Sequence, residues 1–380
     1  MRWMLLELGL IAAFGLAAMP VRGDELLARR PSAEETARII AHGPWPPPGR
    51  RDVSNRASGN PSAIAFGRRM FHEPRLSANG YIACVTCHQT NRGWTDGIAR
   101  ARALAPVDRN TPAITNAALN TWFGWRGTSD SLWMASVQPM LDPREMGSSA
   151  AQVAHVVRIG DGLACEYERA FGRPPQAASD ETVMVDVAKA IAAFAETLTT
   201  GRTPFDDYRD ALARGDERLA LRYPAAAARG ARLFVGRGDC ARCHAGPNFT
   251  DGSFRAGVGG GTDAGRLDGV RNAPDSRYSL AGPFNDDPFH RSAVAAPMQV
   301  LQADRQLHGP IRVPSLRNAA VTPPYMHDGS RETLRDAVRH DAGVTLSEAD
   351  VEDLIAFLAT LTDRHGAERP NERPSRPACE

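Results

Sequence analysis

Cys84-Val85-Thr86-Cys87-His88 is the stretch from which the rest of this chain can be read. Two cysteines two residues apart, followed at once by a histidine, form the attachment pattern of a c-type haem. Each thiol adds across one vinyl group of the porphyrin, so the two sulfurs must reach the same macrocycle edge. The next side chain is then held beneath the ring, where its imidazole can bind the iron as proximal ligand. The pattern returns at Cys240-Ala241-Arg242-Cys243-His244, so the sequence predicts two covalently bound haem c groups. A CxxC pair alone would also suit a thioredoxin-type redox pair or half of a zinc site. Here each pair carries an immediate histidine, and zinc ribbons and fingers place their halves far closer together.

The chain's 380 residues are enough for two domains of ordinary size. A formal net charge of +1 gives no ground for a nucleic-acid partner or an anionic membrane surface. Lys189 is the only lysine; a base-composition bias explains the arginine excess better than a function does. The N-terminus has a short basic start at Met1-Arg2, an apolar run over 3–19 interrupted by Glu7, and Pro20-Val21-Arg22-Gly23-Asp24. That layout predicts a signal peptide over 1–23 and export to the periplasm. The competing reading is an uncleaved anchor, the run being near the lower limit for a span. No later segment is apolar enough to cross a bilayer, so no stable membrane insertion is expected after cleavage. Two cysteines fall outside the haem motifs. An oxidising compartment allows a disulfide between Cys165 and Cys379; the alternative for Cys165 is a small buried hydrophobe.

An N-terminal extension over 24–60 carries a helical pattern over 33–42 and a proline-rich connector from Pro44 to Pro48. The first organised block opens at Pro61, where Ile64, Phe66, Met70 and Phe71 fall at helical spacings and Ser62 is the expected N-cap. Further helices are expected over 129–141, 149–158 and 164–171. The strongest is expected over 180–199, with Val183, Val187, Ile191, Phe194 and Leu198 on one face. A second block opens at Pro224, with Ala228, Ala231, Leu233 and Phe234 before the second motif. The pairs Gly67…Met70-Phe71 and Gly230…Leu233-Phe234 predict a duplicated cytochrome-c-like unit. Residues 251–310 read as mostly irregular, helices close the chain over 332–340 and 346–361, and 366–380 read as a disordered tail. The expected fold is all-α: two cytochrome-c-like haem domains with long irregular loops, over 61–223 and 224–365.

Outside the motifs, each candidate site residue has a plainer reading. His72, His155, His290, His308 and His365 are iron-ligand candidates, but isolated histidines are more often structural or on the surface. Met326 is either a soft axial ligand or ordinary packing. Trp94, Trp122, Trp125 and Trp133 either cover haem edges or include one that relays electrons between haems. Glu145, by composition alone, is a solvated acid.

Several ordered motifs add to this: Phe66-Gly67…Phe71…Leu76-Ser77, Trp94-Thr95-Asp96-Gly97, Arg109-Asn110-Thr111-Pro112 and Phe123-Gly124-Trp125-Arg126-Gly127. Leu141-Asp142-Pro143-Arg144-Glu145-Met146, Gly246-Pro247-Asn248-Phe249-Thr250-Asp251, Val313-Pro314-Ser315-Leu316-Arg317-Asn318 and Pro324-Tyr325-Met326-His327-Asp328-Gly329 follow. Over residues 60–362 the chain resembles the bacterial dihaem cytochrome c peroxidases and their relatives of the MauG type. The resemblance implies a peroxidatic haem on Cys84, Cys87 and His88 and an electron-transfer haem on Cys240, Cys243 and His244. It implies Trp125 between the haems, Glu145 as the distal acid, and Asn110, Thr322 and Pro324 as oxygen donors to a calcium ion. It also implies hydrogen peroxide as substrate, a small cytochrome c or cupredoxin as electron donor, and a homodimer as a compatible assembly. Cleaving the O–O bond requires a proton moved from one peroxide oxygen to the other, which a distal carboxylate can do as base and then acid.

The chain departs from the family's pattern in two places. The position of the distal histidine found in many of the peroxidases falls near Arg102, and no histidine lies between His88 and His155. The first centre is therefore expected to be open without reductive activation. After Gly329, the position of the family's axial methionine or tyrosine falls at Asp341, leaving His340, Met326 or water as the sixth ligand of the second centre. A MauG-like enzyme that oxidises a tryptophan or tyrosine of a partner protein, and a non-enzymatic dihaem electron carrier, are the alternative functions.

Overall fold

The computed structural model describes residues 30–49, 51–256, 264–272, 276–287, 289, 309–341 and 343–363. The expected signal peptide, the tail, His290, His308, His365 and Cys379 lie outside them. Described Cys165 is disulfide-bonded. Among the described residues the fold is mainly helical. Its strands are β1 (Phe254–Arg255) and β2 (Ile311–Arg312), paired antiparallel. No described helix is long and apolar enough to cross a membrane.

Two hydrophobic cores form, each around a pair of crossing helices. In the first, α1 (Pro61–Phe71) crosses α2 (Asp180–Ala195). A Cβ on Gly67 would stand 1.9 Å from the carbonyl oxygen of Ala190, so only glycine lets the two backbones approach this closely. In the second, α3 (Ala225–Val235) crosses α4 (Glu348–Ala359), and a Cβ on Gly230 would stand 1.9 Å from Asp353 O. The same device therefore recurs at both glycines of the sequence repeat. Ile39, Phe205, Tyr208 and Tyr223 all precede Pro224 in sequence and pack into the second core.

Local chemistry moves some expected boundaries. Asn60, not Ser62, caps α1: its Oδ1 accepts from the backbone N–H of Ser62 at 3.0 Å, and Pro61 occupies the first turn, where no N–H is needed. Helix α2 ends at Ala195, four residues early. Asn116 accepts from Thr200 N and donates its own N–H to Leu198 O, which draws the chain out of the helix. Nor does α2 have a single apolar face. Its side chains from Val183 to Ala195 are buried all round, because the helices Leu132–Leu141 and Ala150–Ile159 cover the sides α1 leaves open. This places two charges in the interior. Asp186 takes Arg56, Arg173 and Tyr167, and Lys189 takes Asp286 at 2.5 Å with its ammonium 5.1 Å over the Trp133 ring. Lys189 thus has a structural role that composition concealed.

Gly67→Ala and Gly230→Ala are each expected to destabilise the protein by about 1–3 kcal/mol or more, since overpacking a tight crossing forces the backbones apart. Denaturant unfolding of both variants checks this, and an unchanged midpoint for either would place its crossing elsewhere.

Candidate functional site

The first motif forms a single helical turn, Cys84–Cys87, entered through an Ala83 N–H that donates to Thr86 Oγ1 at 3.0 Å. His88 Nδ1 lies 3.0 Å from Trp94 O. A carbonyl can only accept, so Nδ1 carries the proton and Nε2 keeps the lone pair a metal would take. Burial lowers the pKa of this imidazole, only partly offset by the Trp94 bond, which favours the neutral, ligating form. The second motif repeats the arrangement: His244 Nδ1 lies 3.1 Å from Phe249 O. Both acceptors are non-glycine residues in the left-handed region, Trp94 at φ 65° and Phe249 at φ 51°. The second loop is also braced from beneath. His42 Nε2 lies 3.2 Å from His244 O, and the His42 ring stacks on Phe249 at 4.8 Å.

Cys84, Cys87 and His88 open onto a cavity of about 310 Å³. Phe71, Ile82, Ile114, Leu132 and Ile191 give it apolar walls, and Trp125, Glu145 and Arg312 also line it. Free thiols, an imidazole with its Nε2 available and an apolar enclosure fit a thioether-bound haem. Among the described lining residues His88 is the only histidine. Ala101, Ala103 and Val107 face the cavity, while Arg102, where the family's distal histidine would fall, is exposed on an Arg102–Pro106 bridge. Glu145 is held by backbone bonds from its N–H to Asp142 O and from Leu104 N–H to its own carbonyl. Burial pushes its carboxyl up to about 7; Asp142 and Asp108 add to this and Arg144 opposes it. No described residue donates a hydrogen bond to that carboxylate. Trp125 donates its indole N–H to Asn110 O at 2.9 Å.

The other candidates are more scattered. His72 caps α1 through Nδ1 and Arg68 O at 2.9 Å, and His155 is exposed; neither lines the cavity. Trp133 is fully buried and donates to Ser54 Oγ, and Trp122 lies under the Arg266 guanidinium. Met326 sits at φ 71° in the turn closed by Tyr325 and Arg331, and His340 accepts at Nδ1 from Arg331 at 2.9 Å. Asn110 N donates to His327 O at 2.9 Å, which joins the segment of Asn110 to that of Thr322 and Pro324. Among the described residues no three His, Cys, Asp or Glu side chains gather to hold a metal. Sequence reading did not single out Arg312 or His42. Arg312 is one of many arginines, and His42 lies far from the motif it braces.

The sequence model of the di-haem cytochrome c peroxidase family matches residues 61–215. The chain is 33% identical over 319 residues to the methylamine utilization protein MauG of Methylorubrum extorquens, covering 79% of this chain and 78% of that protein. It is 31% identical over 316 residues to the cytochrome c551 peroxidase of Nitrosomonas europaea, covering 80% of each. A solved MauG-like protein associated with microbial copper homeostasis superposes with a TM-score of 0.65 at 25% identity, covering 88% of this chain and 100% of that one.

Replacing Cys84 and Cys87 together by alanine is expected to leave one covalent haem per chain instead of two. The pyridine haemochrome of the purified variant, set against the wild type, measures this directly. An unchanged count would remove the first motif as an attachment site.

Proposed function

The chain belongs to the dihaem cytochrome c peroxidase family with its MauG relatives, and from that membership we propose that it reduces hydrogen peroxide to water. The electrons come from a small redox protein, a cytochrome c or a cupredoxin, and the compartment is the periplasm. A haem held by Cys84, Cys87 and His88 would supply the iron and electrons for cleaving the O–O bond. Glu145 takes the proton from one peroxide oxygen and returns it to the other. Two electrons and two further protons then complete two waters. The observation that carries this reading is a half-buried carboxyl with no described hydrogen-bond partner, in a cavity whose only described histidine is the one of the first motif. Trp125 stands in the same cavity, and its carbonyl accepts from Arg312 N at 2.9 Å. This bond ties the Trp125 segment to β2, and that contact supports a relay role for Trp125. For the second centre His340 and Met326 are the candidate sixth ligands. Asn110, Thr322 and Pro324 are the candidate oxygen donors for a calcium ion.

A second reading has the same cavity oxidise a tryptophan or tyrosine of a partner protein. The lack of a described distal histidine and the likeness to MauG favour it. A mass change in a partner aromatic, with slow turnover of reduced cytochrome c, would select it over the first.

Glu145→Gln is expected to lower kcat/KM for peroxide by about 10²–10⁴-fold, the usual range for a general acid–base group, with two haems retained. Steady-state turnover with reduced cytochrome c measures it, and unchanged turnover removes Glu145 from the mechanism. The active base is the ionised carboxylate. With its pKa raised to about 7, wild-type kcat/KM should be flat above that pH and fall about tenfold per pH unit below it. The glutamine variant should lose that limb.

A further inference from the structure

The cavity that holds His88 and Glu145 contains a charge the peroxide chemistry does not use. Arg312 lies on β2 and is 8% exposed. Its backbone N–H donates to Trp125 O at 2.9 Å and its Nε to Gly124 O at 3.2 Å, while its terminal nitrogens donate to no described group. Other arginines nearby are matched: Arg126 with Asp268, Arg109 with Asp108, and buried Arg317 with Asp206. Arg266 lacks a carboxylate but is enclosed by the Trp122 and Phe254 rings at 3.9 and 4.2 Å and donates to the carbonyls of Arg126 and Gly127. Arg312 has neither arrangement. Burial lowers its pKa to about 10, with no described carboxylate offsetting it.

Its place in the fold is equally specific. Arg312 lines the first cavity and also a smaller one of about 100 Å³, bounded by Trp122 on one side and by Asn248, Thr250 and Asp251 of the second motif's loop on the other. Arg312 therefore borders both spaces, with terminal nitrogens that donate to no described group. A buried guanidinium without a counter-charge is costly, and a carboxylate accepted by both terminal nitrogens would offset that cost. A haem porphyrin carries two such carboxylates.

We propose that Arg312 receives a carboxylate of the haem held at Cys84–His88, keeps it ionised, and raises the reduction potential of that centre. The proposal rests on the dihaem reading above. Positive charge next to the ring favours the reduced iron, and charge and burial are among the protein's means of setting a haem potential. Arg312 is accordingly a positioning and tuning residue.

The test uses holoprotein of the wild type, R312Q and R312K. Haem count by pyridine haemochrome comes first: fewer than two haems in the wild type overturns the dihaem reading itself, whatever Arg312 does. With two haems present, spectroelectrochemical titration should show the reduction equilibrium of the first haem in R312Q shifted about tenfold toward the oxidised state, about 59 mV for one electron. Its potential should also vary with pH where the wild type is flat. R312K should keep most of the potential but shift the carboxylate bending bands in resonance Raman, because the bidentate fork is lost. An unchanged potential and pH response in R312Q overturn the proposal. If R312Q does not accumulate with two haems, R312K decides: shifted carboxylate bands support the proposal and unshifted bands overturn it. A merely structural tie to Gly124 would lower the melting temperature and leave potential and bands in place.

Discussion

One hydrogen bond in each half of the chain governs the rest: the motif histidine's Nδ1 bonded to a carbonyl a few residues on, Trp94 for His88 and Phe249 for His244. It chooses the tautomer, aims the ring and leaves Nε2 for a metal. The acceptor in each case is a bulky residue in the left-handed region, a conformation that costs about 1–2 kcal/mol. Packing offsets that cost. Trp94 stands edge-on to Phe71 and Phe194, and Phe249 is enclosed by Phe205, Phe234, Phe357 and His42. Of these, Phe71, Phe194, Phe234 and Phe357 come from the helices that approach closely only because Gly67 and Gly230 lack a Cβ. The crossing glycines, the aromatic cores and the strained turns therefore form one mechanical unit, built twice.

The two copies are used differently. The first opens onto a cavity lined by a carboxyl, an indole and three arginines among walls that are otherwise mostly apolar. Low polarity there raises the Glu145 pKa toward neutrality, where a carboxyl can both accept and return a proton. The second is reinforced instead. His42 bonds the His244 carbonyl, and Arg317 ties Asp206 to Pro247 O while lying 3.5 Å over Trp45. The first motif thus faces a roomy cavity with a titratable group, and the second sits in a clamped loop.

Much of this was legible along the chain. Both attachment motifs, the Gly67 and Gly230 repeat, most helices and the dihaem peroxidase resemblance could be read from spacing and motif order, because covalent attachment and helix periodicity are local constraints. Local competition shifted the boundaries: Pro61 moved the cap of α1 to Asn60, and Asn116 cut α2 short at Ala195. The one-sided apolar face expected for α2 became an all-round buried helix, since periodicity records one contact face and cannot count the helices that cover the others.

The sequence by itself determined the two CxxCH motifs, the histidine that closes each, and the ordered motif set in which Trp125 and Glu145 follow the first. Only the tertiary structure decided that Arg102 faces outward while Ala101 and Ala103 line the cavity, and that Lys189 is a buried structural cation. It also decided that His42 braces the second histidine, and that Arg312 borders both cavities with no described carboxylate paired to it. The physical reason is the range of the interactions. Thioether spacing and helix caps act over a few residues. Burial, the loss of a counter-charge and carbonyl bonds between segments about 200 residues apart exist only once the cores have closed.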